Sequence, residues 1–218
     1  MKTLITSLLV LIISFSISTA YNNSQNPVQL STAQDIEDLM GTPADWGLNF
    51  ILMNDIDITG ITTAPIGNFF TFFTGSFNGQ GFTISNFSIN VSSDYVGFFG
   101  FLFQSTIQNL GLINVDVTGN SFVGGFLGYS YDSDISNCYS TGDVVGSGSN
   151  IGGFCGINDF YSVITNCYST GNIDCNGNYY YVGGFCGQNS NYSVITNCYS
   201  TGRSEEQTSE LQSPNTIS

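Results

Sequence analysis

Histidine is absent from this 218-residue sequence, and Lys2 and Arg203 are its only basic residues, against sixteen Asp and Glu and a formal charge of −14. Between Tyr21 and Gly202 there is no Lys, Arg or His, while thirteen of the carboxylates fall there. A polyanion without cations cannot neutralise phosphates, which argues against nucleic acid and anionic membrane surfaces as partners. The same lack removes catalytic options. Acyl-transfer triads lose their usual base without His, and a thiolate nucleophile has no neighbouring cation to depress its pKa. A lyase acting on uronates would need a base and a cation to hold the carboxylate, and the stretch offers neither.

Long apolar runs are also missing, apart from residues 4–17. That run follows Lys2 and precedes Ser18-Thr19-Ala20, the pattern of a secretory signal, and it is short for a hydrocarbon core of about 30 Å. The expectation is a signal at 1–20 cleaved after Ala20, an uncleaved anchor being the alternative. At the other end, 203–218 breaks with everything before it. The run 203–213 resembles, apart from Gln207, the in-frame translation of a sequencing-library adapter, and is expected to be a non-native or disordered tail; a natural polar tail is the alternative.

What remains between the ends is repetitive. Ile-x-Asn recurs at Ile84/Asn86, Ile107/Asn109, Ile135/Asn137, Ile164/Asn166 and Ile195/Asn197. A second register, Phe77, Phe98, Phe126, Phe154 and Phe185, each with Gly two residues on, precedes each Ile. Periods of this size signal a solenoid whose units bury apolar faces against one another. Short β-branched runs such as 193–196, bounded by Gly and Asn, read as strand and turn. The expected fold is all-β, a parallel β-helix of about five coils, with like residues stacked about 4.8 Å apart. Phe, Ile and Asn then form columns, the Asn column being an amide ladder at a bend.

Five of the six cysteines follow shared columns, and Cys175 stands in a slot of its own. Phe87 and Leu110 fill the slot taken by Cys138, Cys167 and Cys198, and Phe99 and Leu127 that of Cys155 and Cys186, so the thiols are expected to face inward as small apolar groups. Secretion permits disulfides, but in-register Cβ atoms lie wider apart than the preferred ~3.8 Å; Cys155 to Cys186 is the candidate bridge. Residues 21–68 lack the repeat and are expected to form a cap. There Ser31-Thr32-Ala33-Gln34 fits a capping box, 32–40 reads as a helix burying Ile36, Leu39 and Met40, and Gly41 can close it. With Trp46 the helix would cover the first coil's unpaired edges. The first alternating strand is expected at 54–58, with repeats over 69–202.

The runs Val182-Gly183-Gly184-Phe185-Cys186-Gly187 and Asn197-Cys198-Tyr199-Ser200-Thr201-Gly202 resemble the GLUG repeat. Upstream, 54–57, 65–67 and 77–81 resemble the lead-in to such repeats, so the likeness spans about Phe50 to Gly202. The resemblance implies parallel β-helices in large adhesin-like or peptidase-associated surface proteins, with no established catalytic residues. The expected function is a secreted or cell-surface structural or adhesive solenoid, a fragment of a longer protein. The alternatives are a carbohydrate-active β-helix with its catalytic part elsewhere, or a repeat passenger of a surface peptidase.

Neither a catalytic nor a cofactor site is expected, and no metal set either, weak Ca²⁺ binding by oxygen ligands being an alternative resting on composition. The carboxylate pairs Asp55/Asp57 and Asp132/Asp134 could in principle serve an inverting glycosidase, but outward carboxylates are ordinary in an acidic protein. Tyr131, Phe160, Tyr161 and Tyr192 lie in the most variable segments and could meet an extracellular carbohydrate or protein, or simply stack on each other. Of the Asn-x-Ser sequons, Asn22, Asn90 and Asn191 are candidate acceptors, and Asn86 is expected to be held in the inward ladder slot.

Overall fold

The computed structural model of the chain describes residues 26–175, 181–202 and 204–206. The expected signal and cleavage point, Asn22, Arg203 and 207–218 lie outside the described residues.

The chain is a succession of short parallel strands, a β-solenoid of about five coils. A coil can be followed from Val123–Gly124 through Leu127–Tyr131 and Asp134–Ser136 to Tyr139–Gly146. Each strand pairs in parallel with its equivalents one coil away, giving four sheets. Sheet I has seven strands, from Val28–Leu30 to Val194–Thr196; sheet II has nine, six along its main path, including Gly111–Gly119 and Tyr139–Gly146, and three beside it. Sheet III contains the short strands Val123–Gly124, Ile151–Gly152 and Val182–Gly183; sheet IV contains Phe99–Phe103, Leu127–Tyr131, Cys155–Asp159 and Cys186–Asn189. The ladder continues past Gly202, where Ser204–Glu206 pairs with Ile173–Cys175.

The strands are short because each coil must turn several corners. Asn109, Asn137, Asn166 and Asn197 sit at one corner with φ of 55°, 54°, 54° and 51°. Asn adopts the left-handed region more readily than most side chains, and its amide can then bond locally. Each amide nitrogen donates to the preceding Asn oxygen, from Asn109 to Asn78 and on through Asn137, Asn166 and Asn197, all at 3.2 Å. The Gly100, Gly128, Gly156 and Gly187 column has a different reason. A Cβ on Gly128 would lie 2.7 Å from the Phe122 carbonyl oxygen and 2.8 Å from that of Gly100. Close backbone approach, with no positive φ, excludes side chains there.

Helix α1, Ala33–Gly41, starts on Thr32, whose hydroxyl accepts from the Asp35 N–H at 3.2 Å. The Asp35 carboxylate accepts from the N–H groups of Ser31 and Thr32, so Asp35 completes the box three residues after Thr32. These bonds, led by that from Ser31, lower its pKa. Gln34, the partner expected from sequence, instead donates to Asp38. Ile36, Leu39 and Met40 are buried as expected, and Trp46 is buried with its indole N–H donating to the Leu39 carbonyl at 2.8 Å.

The first coil departs from the expected alignment. Val28–Leu30 and Asn49–Leu52 already pair in sheet I before the strand expected at 54–58. Phe77 stands in the Ile column, between Phe50 and Ile107, and not in the Phe98 column. Ile84 pairs instead with Ile56 and Leu112 in sheet II. Asn86 therefore leaves the Asn109 ladder for a second corner, where it donates to Asp57 and accepts from Asn114. Gly79 and Phe87 leave their assigned slots as well: Gly79 packs beside Leu110, and Phe87 precedes the strand Ser88–Asn90 beside Gly111–Gly119. The cause is that two corners select the same local pattern, Ile two residues before a left-handed Asn. Only pairing tells them apart.

A single core runs through the coils. Phe126 and Phe154 stack at 4.6 Å and 11°, and Phe154 and Phe185 at 4.9 Å and 6°. Phe98 holds the equivalent backbone position, but its ring meets Phe87 and Phe99 edge-on. At the corner between sheets IV and I, buried serines form a further ladder. The N–H groups of Ser105, Ser133 and Ser162 donate to the hydroxyls of Ser133, Ser162 and Ser193 at 3.1, 3.1 and 3.2 Å. Buried backbone donors at a corner need such partners.

Candidate binding face

Phe101 and Ile157 are only 7% and 6% exposed, yet neither belongs to the central core. Phe101 is covered from outside, by an aromatic layer on sheet IV. Tyr95 and Phe122, both at positive φ, stack at 4.7 Å and 9°. Tyr95 approaches Phe101 at 5.6 Å, and Phe101 stacks on Tyr129 at 4.5 Å. Phe72 joins this group to a second row by contacts with Phe101 at 4.6 Å and Phe103 at 5.4 Å.

That second row contains two of the residues singled out in the sequence. Phe103 stacks on Tyr131 at 5.2 Å and Tyr131 on Phe160 at 4.6 Å. The other two, Tyr161 and Tyr192, form a separate pair at 5.4 Å and 11°. The four are thus held by stacking, and they do not converge on one point. A stack spends ring faces on ring faces, so its interior members present edges. Tyr192, 82% exposed, and Phe70, 92% exposed, keep open faces. Phe70 projects from a turn fixed by Asn68, whose side-chain oxygen accepts from the N–H groups of Phe70 and Thr71.

Where sheet IV passes its third coil, the cover becomes polar. Asn150 follows Phe122 in its column and donates to the Gln188 side chain at 2.7 Å. Asp159, 5% exposed, accepts from the Tyr129 hydroxyl at 2.6 Å and from Ser190 and Asn191 at 2.7 Å each. Burial pushes its carboxyl up, but the bonds from Tyr129, Ser190 and Asn191 outweigh that and leave the pKa lowered. Tyr129 is moved far upward, first by burial and then by the Asp159 bond. This network fixes sheet IV's outer surface, and the sequence reading missed it. The recurrence of Phe101, Tyr129 and Phe103, Tyr131 one period apart was the available signal.

The carboxylate pairs are built into ladders. Asp55 accepts from the N–H and hydroxyl of Thr83, and Asp57 from Asn86 and Thr59. Those bonds, that of Asn86 first, lower the Asp57 pKa. Asp132 accepts from the Gln104 amide at 3.0 Å; Asp134 opens a strand of sheet I. Among the described residues no group of three or more His, Cys, Asp or Glu is placed to hold a metal ion.

Cys155 and Cys186 are in-register neighbours, and Cys138, Cys167 and Cys198 continue the column of Leu110. Cys138, Cys155 and Cys167 are buried, and Cys186 and Cys198 half-buried; these five stand as thiols. The N–H of Cys138 donates to the Cys167 sulfur, and that of Cys167 to the Cys198 sulfur, both at 3.4 Å. Burial pushes the Cys138 and Cys155 thiols well up. Of the sequons, Asn90 is exposed on a strand of sheet II, while the amides of Asn86 and Asn191 are committed to Asp57 and Asp159.

A third aromatic row was not anticipated. Tyr139, Tyr168 and Tyr199 stack at 4.8 and 5.2 Å with planes within 2° and 7°. The row leans back onto Gly111, the residue paired with Tyr139, whose missing Cβ makes room for the ring.

Comparison with known proteins agrees with this architecture. A solved structure from Bacteroides ovatus, provisionally named an immunoglobulin A1 protease, shares the fold with a TM-score of 0.57 at 23% identity, over 81% of this chain and 67% of that one. A protein of Evansella cellulosilytica, provisionally named a Gly-rich membrane protein, is 31% identical over 102 residues, 43% of this chain and 12% of its own length. The chain thus matches only a small part of that relative. The model of the GLUG motif matches residues 119–145, 147–174 and 178–204, three consecutive stretches of the sequence.

Proposed function

We propose that this chain is a secreted or surface-exposed structural and adhesive β-solenoid, a non-catalytic segment of a larger protein, whose outer face on sheet IV makes its contacts. The aromatic layer on that face carries the reading. It adds an ordered apolar surface outside a core that is already complete, with Phe69 and Phe70 55% and 92% exposed at its margin. Exposed apolar patches of this kind mark interaction sites. The absence of His, Lys and Arg from Tyr21 to Gly202, and the use of Asp55, Asp57 and Asp132 as ladder acceptors, support a binding role over a catalytic one. A second reading, a repeat passenger beside a peptidase, is favoured by the name of the Bacteroides ovatus neighbour alone.

Expression of the whole chain in a bacterial host tests the reading. The protein should reach the medium or become accessible to protease added to intact cells. Beads coated with it should be retained on an extracellular target without degrading it. Retention in the cytoplasm, or time-dependent cleavage of a polysaccharide or protein by the purified chain, would overturn the proposal.

A further inference from the structure

The aromatic layer on sheet IV has a carboxylate beside each of its two rows. Asp94 lies next to Tyr95, its Oδ1 accepting from the Asn120 amide at 2.7 Å and the Ser121 N–H at 3.0 Å. Asp132 lies next to Tyr131 and is held by Gln104 at 3.0 Å. Both are exposed, and the ring rows Tyr95–Phe122 and Tyr131–Phe160 run beside them.

Charge narrows what could cover this face. From Tyr21 to Gly202 the chain carries only negative side chains, so a second copy, an anionic glycan or an anionic membrane would be repelled. A neutral glycan stacks on ring faces, whereas the rows here present edges except at Phe70 and Tyr192, which sit on different coils. An apolar centre with charged rim matches a protein interface.

We propose that the outer face of sheet IV docks a basic polypeptide segment, its apolar side chains lying on Phe72, Phe103 and Tyr131 and its Lys or Arg residues pairing with Asp94 and Asp132. This builds on the binding role proposed above and gives it a partner class. The opposite sign of the partner speeds encounter and sets its orientation, and the aromatic centre supplies the apolar contact.

The test uses the whole chain and a synthetic peptide of alternating Leu and Thr with Arg at both ends, with binding followed by fluorescence anisotropy. Asp94→Asn and Asp132→Asn should each weaken binding about 2- to 5-fold, the range of an exposed ion pair. Phe70→Ser, which removes an exposed ring at the margin, should weaken it as well, and a peptide with Gln replacing Arg should bind far less. Asp45→Asn, on the cap and away from the face, is the control and should change little. Three results would overturn the proposal: equal weakening by Asp45→Asn, equal binding of the Gln peptide, or displacement of the peptide by a neutral oligosaccharide, which would assign the face to a glycan. Because only purified components are used, these outcomes are independent of whether the chain is secreted or lacks catalysis.

Discussion

Phe154→Ala probes the stacked core where it is most continuous. Phe154 is fully buried, with one ring face on Phe126 at 4.6 Å and the other on Phe185 at 4.9 Å. Truncation of a buried Phe to Ala costs about 3–5 kcal/mol, and two near-parallel ring contacts, each worth about 0.5–1.5 kcal/mol, place this site near the upper end, at about 5 kcal/mol. Phe185 is half-buried and, among the described residues, stacks on one ring; about half the burial and one contact put Phe185→Ala near 2 kcal/mol. In a solenoid each coil is stabilised by its two neighbours, so loss at Phe154 should also uncouple the coils on either side. Urea unfolding of the two variants measures the difference, and hydrogen exchange should show Phe154→Ala exposing amides of both Leu127–Tyr131 and Cys186–Asn189. If Phe185→Ala costs as much as Phe154→Ala, or if Phe154→Ala costs less than about 1 kcal/mol, the continuous stack is not what holds these coils together.

Other consequences can be measured in the same way. Gly142, Gly171 and Gly202 form a column in which a Cβ on Gly171 would fall on the Gly142 carbonyl oxygen; Gly171→Ala should cost about 3 kcal/mol or prevent folding, the upper range for overpacking. Gly41→Ala, with open space around it, should be neutral in the same urea unfolding. Asn137→Asp removes the donor to Asn109 and should cost about 1–3 kcal/mol at neutral pH, with part regained on acidification as the new carboxyl protonates; equal cost at both pH values would refute the ladder. Cys138 and Cys155 have raised folded pKa values, so their contribution is complete below the unfolded thiol pKa and is lost as pH rises through the alkaline range. Asp159 is the opposite case: its lowered pKa stabilises above the unfolded carboxyl value and is lost as pH falls through the folded one. Urea midpoints across pH, with Cys155→Ala and Asp159→Asn flattening the respective limbs, check both signs. A thiol reagent should reach Cys186 and Cys198 before Cys138 and Cys155; a Cys155 to Cys186 disulfide in the isolated protein would appear as two thiols missing even after unfolding.

The sequence by itself determined the solenoid, because stacking like on like makes the repeat legible: Phe126, Phe154 and Phe185 had to share a column, and cysteines aligned with Leu110 and Leu127 had to face inward. It determined the helix for a local reason too, since Thr32 and the spacing of Ile36, Leu39 and Met40 are read within one turn or two. Only the tertiary structure decided the first coil, where Ile84-Ser85-Asn86 imitates Ile107-Gln108-Asn109. Both corners require a left-handed Asn, and the identity of a corner lies in which strand pairs beside it, Ile56 and Leu112 for Ile84 but Phe77 for Ile107. The outer face was hidden for a related reason. Tyr95, Phe72 and Tyr129 are distant in sequence and come from different turns of different coils, so the layer they build over Phe101 exists only once the coils are stacked.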